Sequence, residues 1–444
     1  MTGALKRTLG TTDLTLLVIG NVIGSGIFLV PSTVLRLSGE SVAVASSVWL
    51  VGGVLSLLGA LSYGELGAMD RGSGGLYAFI RDGFGPLPAF LYGWTLFFVI
   101  GSGTVATLAV AAANYMGQFA TLAPMAKKGI ATALIVLMAV INVRGTRESA
   151  SVQNTATVIK VAAILIMSAI LFTLGDGGGG EAVAAPSVTM ASLSGVGLSI
   201  ISVLWAYEGW QYVTFAAGEA TAPQRSLPRS IAIGTAALIV IYLLANFAYL
   251  AALGPARVAA SERVAGEAVA QVMGPAAGGV IALAIIISMY SAAHATVITA
   301  PRVYYSMAQD GLFFKRLAEV HPRFGTPALA IIASCAWAIV LALSGTFEQL
   351  LTYVVFVGWI FYALGAAAVI ALRIKRPNAE RPFRVPGYPV TPVIFVLAAA
   401  AIVLNTIVEQ PRQSAIGIGV VLLGVPAYLG WRSRKGRTVT GAGG

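Results

Sequence analysis

Residues 13–34 read DLTLLVIGNVIGSGIFLVPSTV, an apolar run with Gly24-Ser25-Gly26 at its middle. About 20 apolar residues carry a helix across the hydrocarbon of a bilayer. Glycine inside a helix costs about 1 kcal/mol relative to alanine, and two glycines this close favour unwinding. Unwound backbone at membrane depth strands N–H and C=O groups at high cost unless it faces a cavity or a polar ligand. A break at this position therefore predicts a binding site near the bilayer midplane rather than a plain anchor.

The rest of the chain is built to the same scale. Its 444 residues are 57% hydrophobic and only 10% charged, which excludes a water-soluble globular protein. Apolar stretches recur at 13–37, 41–69, 87–119, 129–143, 149–174, 193–218, 229–253, 275–308, 327–344, 348–372, 388–408 and 413–431. They predict an all-α integral membrane protein with twelve transmembrane helices. No interval between them has room for a soluble domain. The longest polar one, around 175–192, contains GDGGGGEAVAAP and reads as a flexible extracytoplasmic loop. The first apolar segment lacks a small-residue cleavage site and is expected to be retained.

The net charge of +11 marks orientation and not nucleic acid. With a cytoplasmic N-terminus and twelve spans, most lysines and arginines fall inside, whereas Arg36, Lys127, Lys128, Arg257, Arg263 and Arg412 fall outside. That bias predicts a multi-pass protein of the cell (cytoplasmic) membrane with both termini in the cytoplasm.

A second break is expected in residues 195–219, GVGLSIISVLWAYEGWQYVTFAAGE, at Tyr207-Glu208-Gly209. A carboxylate at that depth is costly unless it faces water or a partner, so Glu208 is a functional candidate. The plainer account is a packing glycine beside a glutamate paired to a neighbouring helix. Taken together, the two breaks open consecutive blocks of five spans. An odd number of spans per block makes the second enter from the opposite side, and broken helices in corresponding positions of inverted halves point to a transporter site. The expected organisation is residues 1–174 and 175–372 as two five-helix repeats, with two further helices and a tail in 373–444.

Specific segments carry a family resemblance. They are GNVIGSGIF (20–28), SYGELGAMDRGSGGLYAFIRDGFGPLPAFLYGW (62–94), VQNTATVIK (152–160), WAYEGWQYVTFAAGE (205–219), PRVYYSMAQDGLF (301–313) and HPRFGTP (321–327). In order and spacing the chain resembles the amino acid–polyamine–organocation (APC) superfamily, in its L-type amino acid transporter branch. The resemblance implies a 5+5 inverted-repeat, leucine-transporter-like fold with helices 1 and 6 discontinuous. It implies that the backbone around Gly24, Ser25 and Gly26 binds the substrate carboxylate, aided by a half-helix dipole. The carbonyls of Val22, Ile23, Trp205 and Glu208 would receive the substrate ammonium, and Trp205 would act as an extracellular-side gate. Lys160, within IKVAAILIMSAILF (159–172), matches the lysine that replaces the sodium ion of sodium-coupled relatives. It would tie the first span to the eighth.

Three positions depart from the family pattern. Glu208 stands where a smaller residue is common, and it would contact a cationic substrate, bind a proton or brace the break. His294, in SMYSAAHATVITAPR (288–302), replaces an amide; a titrating histidine and a structural one both fit. Arg302 is expected to snorkel or to brace a helix end. Ser102 and Thr104 are candidate pocket residues that leave room for a sizeable side chain, and Glu65 is expected to be structural.

No HExxH, GxxxxGK[ST] or CxxC motif occurs, so no catalysis, metal or cofactor is expected. Cys335, the single cysteine, lies in an apolar stretch, which argues against a disulfide-linked accessory subunit. The expected function is sodium-independent exchange or uniport of L-amino acids, neutral ones by preference, by alternating access. The alternatives are proton-coupled uptake or transport of cationic amino acids through Glu208 or His294. A transporter-like amino acid sensor is a more distant one.

Overall fold

Short turns and prolines punctuate the chain into helices. A computed structural model describes residues 7–69, 72, 74–117, 119–176, 190–345 and 347–440. The first helices are α1 (Thr11–Val22), α2 (Gly26–Leu37), α3 (Val42–Met69), α4 (Leu76–Phe84), α5 (Pro86–Thr95) and α6 (Gly101–Met116). Then come α7 (Pro124–Arg144), α8 (Thr146–Leu174), α9 (Met190–Ala206), α10 (Pro223–Leu253), α11 (Pro255–Ala260) and α12 (Val264–Met273). The last are α13 (Pro275–Thr299), α14 (Pro301–Gln309), α15 (Ala328–Ser344), α16 (Phe347–Lys375), α17 (Val390–Glu409) and α18 (Pro411–Thr440). Residues 177–189, the core of the glycine-rich interval, lie outside the described residues, as do Lys6 and Arg71.

Helices occupy all twelve apolar stretches. Among the described residues nine are long and apolar enough to cross a membrane, or ten if the bent pair α1–α2 is one span. The short stretch 129–143 becomes a 21-residue helix because Pro124 starts it one turn earlier, where a missing N–H costs nothing.

The outer surface is apolar as well as the core. Val280, Val240, Leu397 and Leu422 are exposed on the outer surface, while Lys160, Glu65, Glu219 and Arg302 are buried. Such an exterior suits hydrocarbon, and the inner charges must be paired. Arg302 does not snorkel. Its Nε donates to Glu219 Oε1 at 2.8 Å, and both side chains are about 2% exposed. It therefore links α14 to the segment that follows α9.

Three features place the site. The axes of α1 and α2 diverge by 46° across residues 23–25. A π turn at Leu96–Ile100 separates α5 from α6, and its irregular carbonyls are taken up by neighbours: Tyr304 OH donates to Leu96 O at 3.1 Å and Trp337 Nε1 to Phe98 O at 2.9 Å. Finally, α1 packs against α8, α10 and α13, which surround its broken end.

On another face, Glu65 of α3 is an anchor. Its carboxylate accepts from Arg373 Nε (2.9 Å) and Nη2 (2.7 Å) and from the Val385 N–H (2.7 Å), with Arg381 at 3.4 Å. The connector between α16 and α17 is thus locked onto α3, and the structural role expected for Glu65 takes this form.

Candidate functional site

The two breaks meet. The first helix stops at Val22, and α2 begins at Gly26 with Ser25 as its cap. The second stops at Ala206, and a 3-10 segment, Trp210–Glu219, starts after Gly209. Gly209 sits at φ +120°, a conformation side chains disfavour, and a Cβ there would lie 3.0 Å from Asn21 backbone atoms. A Cβ on Gly26 would collide with the backbone of Ala206. Glycine at both places lets the broken ends touch.

Breaking a helix exposes its terminal carbonyls and N–H groups. On the carbonyl side, tertiary donors fill them. The Lys160 ammonium of α8 donates to Gly20 O at 2.8 Å, to Ile23 O at 2.7 Å and to Ser291 Oγ of α13 at 3.2 Å. Ser288 Oγ donates to Ile23 O at 3.2 Å. Tyr242 OH of α10 reaches both breaks, its one proton shared between Ala206 O at 2.9 Å and Val22 O at 3.1 Å. A single phenol thus pins the two interrupted helices to each other.

The donor side is different. Among the described residues the backbone N–H groups of Gly24, Ser25 and Gly26 have no acceptor. They stand at the N-terminal end of α2, where the helix dipole is positive. Such a cluster attracts an anionic group.

Between the breaks lies a narrow cleft lined by Asn21, Val22, Gly24, Ser25, Gly26, Thr104, Leu108, Trp205 and Glu208. Its volume is about 10 Å³, on the order of the room one water needs. Trp205 closes it, with Nε1 donating to Ser25 Oγ at 3.1 Å. The Glu208 carboxylate accepts from Gln211 Nε2 at 2.7 Å and from the Tyr362 hydroxyl of α16.

The expected residues divide accordingly. Gly24, Ser25, Gly26, Val22, Trp205, Glu208 and Thr104 line the cleft, whereas Ile23 faces Lys160 and Ser288. Ser102 lies elsewhere: it donates to Ser334 O at 3.2 Å and borders a separate small cavity with Cys335. His294 is buried and stacked on Tyr290 at 6.0 Å, away from the cleft lining.

The comparison that decides identity is with a family model described as amino acid permease, which matches residues 9–425. The chain belongs to the amino acid permease family, within the APC superfamily. The permease is 31% identical over 453 residues to the b(0,+)-type amino acid transporter 1 of Mus musculus, covering 99% of this chain and 92% of that one. It is 30% identical over 434 residues to the serine/threonine exchanger SteT of Bacillus subtilis (strain 168), covering 97% and 98%. The cystine/glutamate transporter of Homo sapiens is 32% identical over 421 residues, covering 93% and 82%.

Several residues of the permease site escaped the sequence reading. Gln153 and Thr157, on the helical face that carries Lys160, press on Gly20, which has no Cβ to obstruct them. Ser288 and Ser291 form a similar polar stripe on α13. Helical spacing made both stripes detectable. Nothing local marked Tyr242, Tyr362 or Asn21, because their importance lies in what the fold sets against them.

Proposed function

We propose that this permease is a sodium-independent exchanger or uniporter of L-amino acids, neutral ones by preference, working by alternating access. The observation that carries the reading is the set of three N–H groups at Gly24, Ser25 and Gly26, without an acceptor among the described residues, beside the Trp205 closure. A carboxylate suits those donors, and the ammonium of the same solute turns toward the Val22, Trp205 and Glu208 end of the cleft. Lys160 serves as the fixed cation that braces the break, so no sodium ion is needed. The reading includes twelve spans arranged as two inverted repeats, residues 1–174 and 175–372, followed by the additional helices of 373–444. The bundle containing α1, α2, α3, α9 and α10 rocks against the remainder. Both termini are cytoplasmic in the cell membrane, and no disulfide-linked subunit is involved.

Glu208 favours a second reading. A carboxylate lining the cleft suits a cationic side chain or a coupled proton. The relatives' names, serine/threonine exchanger, b(0,+)-type transporter and cystine/glutamate transporter, span several side-chain classes. Counterflow in proteoliposomes separates the readings. A panel of labelled neutral and cationic amino acids is loaded with and without internal substrate, at two pH values and with a sodium gradient. Uptake of neutral substrates that requires internal amino acid and ignores both gradients supports exchange. Uptake driven by the pH gradient without internal substrate refutes it, and acceleration by sodium refutes the role given to Lys160.

A further inference from the structure

Away from the breaks, at the face where α3 and α16 end, lies a cavity of about 380 Å³ that shares no lining residue with the central cleft. Its size falls in the range of roughly 300–1,000 Å³ typical of small-molecule sites. Leu66, Phe79 and Leu372 provide apolar wall, each at most 5% exposed. Asp82, Arg376 and Glu380 provide charge. The Arg376 guanidinium pairs with Asp82 Oδ2 at 3.0 Å and is about half exposed, so it has donors to spare. Glu380 has no hydrogen-bond or ion-pair partner among the described residues.

We infer that this cavity is a second amino acid site, taking a zwitterion with an apolar side chain. The carboxylate meets Arg376, the ammonium meets Glu380 with Asp82 behind it, and the side chain covers Leu66, Phe79 and Leu372. Charge complementarity selects this class. A simple anion would face two carboxylates, a simple cation would face the guanidinium, and an uncharged apolar molecule would leave the polar rim unused. The cavity is preformed, because Glu65 holds the connector that carries Glu380 through Arg373, Arg381 and the Val385 N–H. Preformation lowers the ordering cost of binding.

The walls give the site a consequence. Leu66 belongs to α3, which is in the moving bundle of the proposed cycle, whereas Phe79 is in α4 and Leu372 in α16. A solute that bridges them binds this conformation better than one in which they separate, and so holds the permease in it. Amino acid at high concentration on this face therefore slows exchange. The inference rests on the amino acid reading for the identity of the zwitterion, while the location rests on the cavity itself.

The test is photolabelling of the full-length permease in lipid nanodiscs with photo-leucine, the diazirine analogue of leucine, followed by peptide mapping. The inference expects label on the segments containing Leu66, Phe79 and Leu372, displaced by excess L-leucine. Arg376→Gln combined with Glu380→Gln should lower that label by about tenfold, the scale of losing a charge-assisted hydrogen bond, and leave label near Ser25 and Trp205 unchanged. Glu380→Gln alone, which breaks no contact of the described fold, should lower it in part and relieve inhibition at high amino acid concentration. Label absent from these segments, or insensitive to both variants, overturns the inference. Label at the breaks alone overturns it and leaves the transport reading intact. Label at the cavity with none at the breaks and no flux does the reverse.

Discussion

Replacing Lys160 with methionine tests the bracing role most sharply. The change keeps a flexible apolar stem and deletes the three hydrogen bonds to Gly20 O, Ile23 O and Ser291 Oγ. Ile23 O retains the Ser288 hydroxyl, so one of the two carbonyls keeps a neutral partner. Gly20 O loses its ammonium donor, at about 1–3 kcal/mol for a buried group left unsatisfied, and the charged bond to Ile23 O is worth about 1.5–3 kcal/mol. Removing a buried ammonium returns part of that cost to the fold as a whole. The loss thus falls on the geometry of the break more than on global stability. Taking about 3 kcal/mol as the share borne by the break, the transport-competent arrangement becomes roughly 100-fold rarer. The assay is counterflow of labelled amino acid in proteoliposomes, with elution as a single symmetrical peak from size exclusion as the folding control. Exchange should drop by about two orders of magnitude while the elution profile is kept. Lys160→Arg should not restore it, because a planar fork does not replace a compact ammonium between two carbonyls. A methionine variant exchanging within threefold of the unmodified protein would refute the reasoning.

Other changes probe the remaining contacts. Gly26→Ala places a methyl against the Ala206 backbone and should abolish exchange in the same counterflow assay, whereas Gly129→Ala, whose Cβ would meet nothing within 4 Å, should be silent. Trp205→Phe keeps an aromatic closure but loses the bond to Ser25 Oγ; a neutral hydrogen bond of about 0.5–1.5 kcal/mol predicts a change of roughly 2- to 10-fold in apparent affinity, with Trp205→Ala costing more. Glu65→Ala leaves Arg373 and the largely buried Arg381 without their carboxylate and should destabilise the protein by about 3–5 kcal/mol, read as a lower thermal midpoint in detergent. Glu208→Gln removes the cleft's charge, so transport of neutral amino acids should survive it while any uptake of cationic ones is lost.

Much of the fold was legible because membrane helices advertise themselves locally. Apart from 129–143 the apolar stretches are long, and each anomaly within one (Gly24-Ser25-Gly26, Glu208, Lys160) is costly by itself, so it stands out without knowledge of its neighbours. Part of the site was legible for the same reason. Ser102 shows the limit: it sits two residues from Thr104, yet helical rotation turns it toward Ser334 while Thr104 faces the cleft. Arg302 shows it again. Its sequence position near a helix end suggested snorkelling or bracing of that end, and Glu219, 83 residues away, draws it into a buried pair.

The sequence by itself determined that this chain crosses a membrane, that two of its helices are interrupted, and that a cation and a carboxylate lie at depth. Those properties follow from the cost of placing single residue types in hydrocarbon. Only the tertiary structure decided which groups answer the interruptions. It gave the carbonyls of the first break to Lys160, Ser288 and Tyr242, and among the described residues left the N–H groups of Gly24, Ser25 and Gly26 without an acceptor. That asymmetry, acceptors filled and donors open, depends on partners as much as 265 residues apart, which no local pattern encodes.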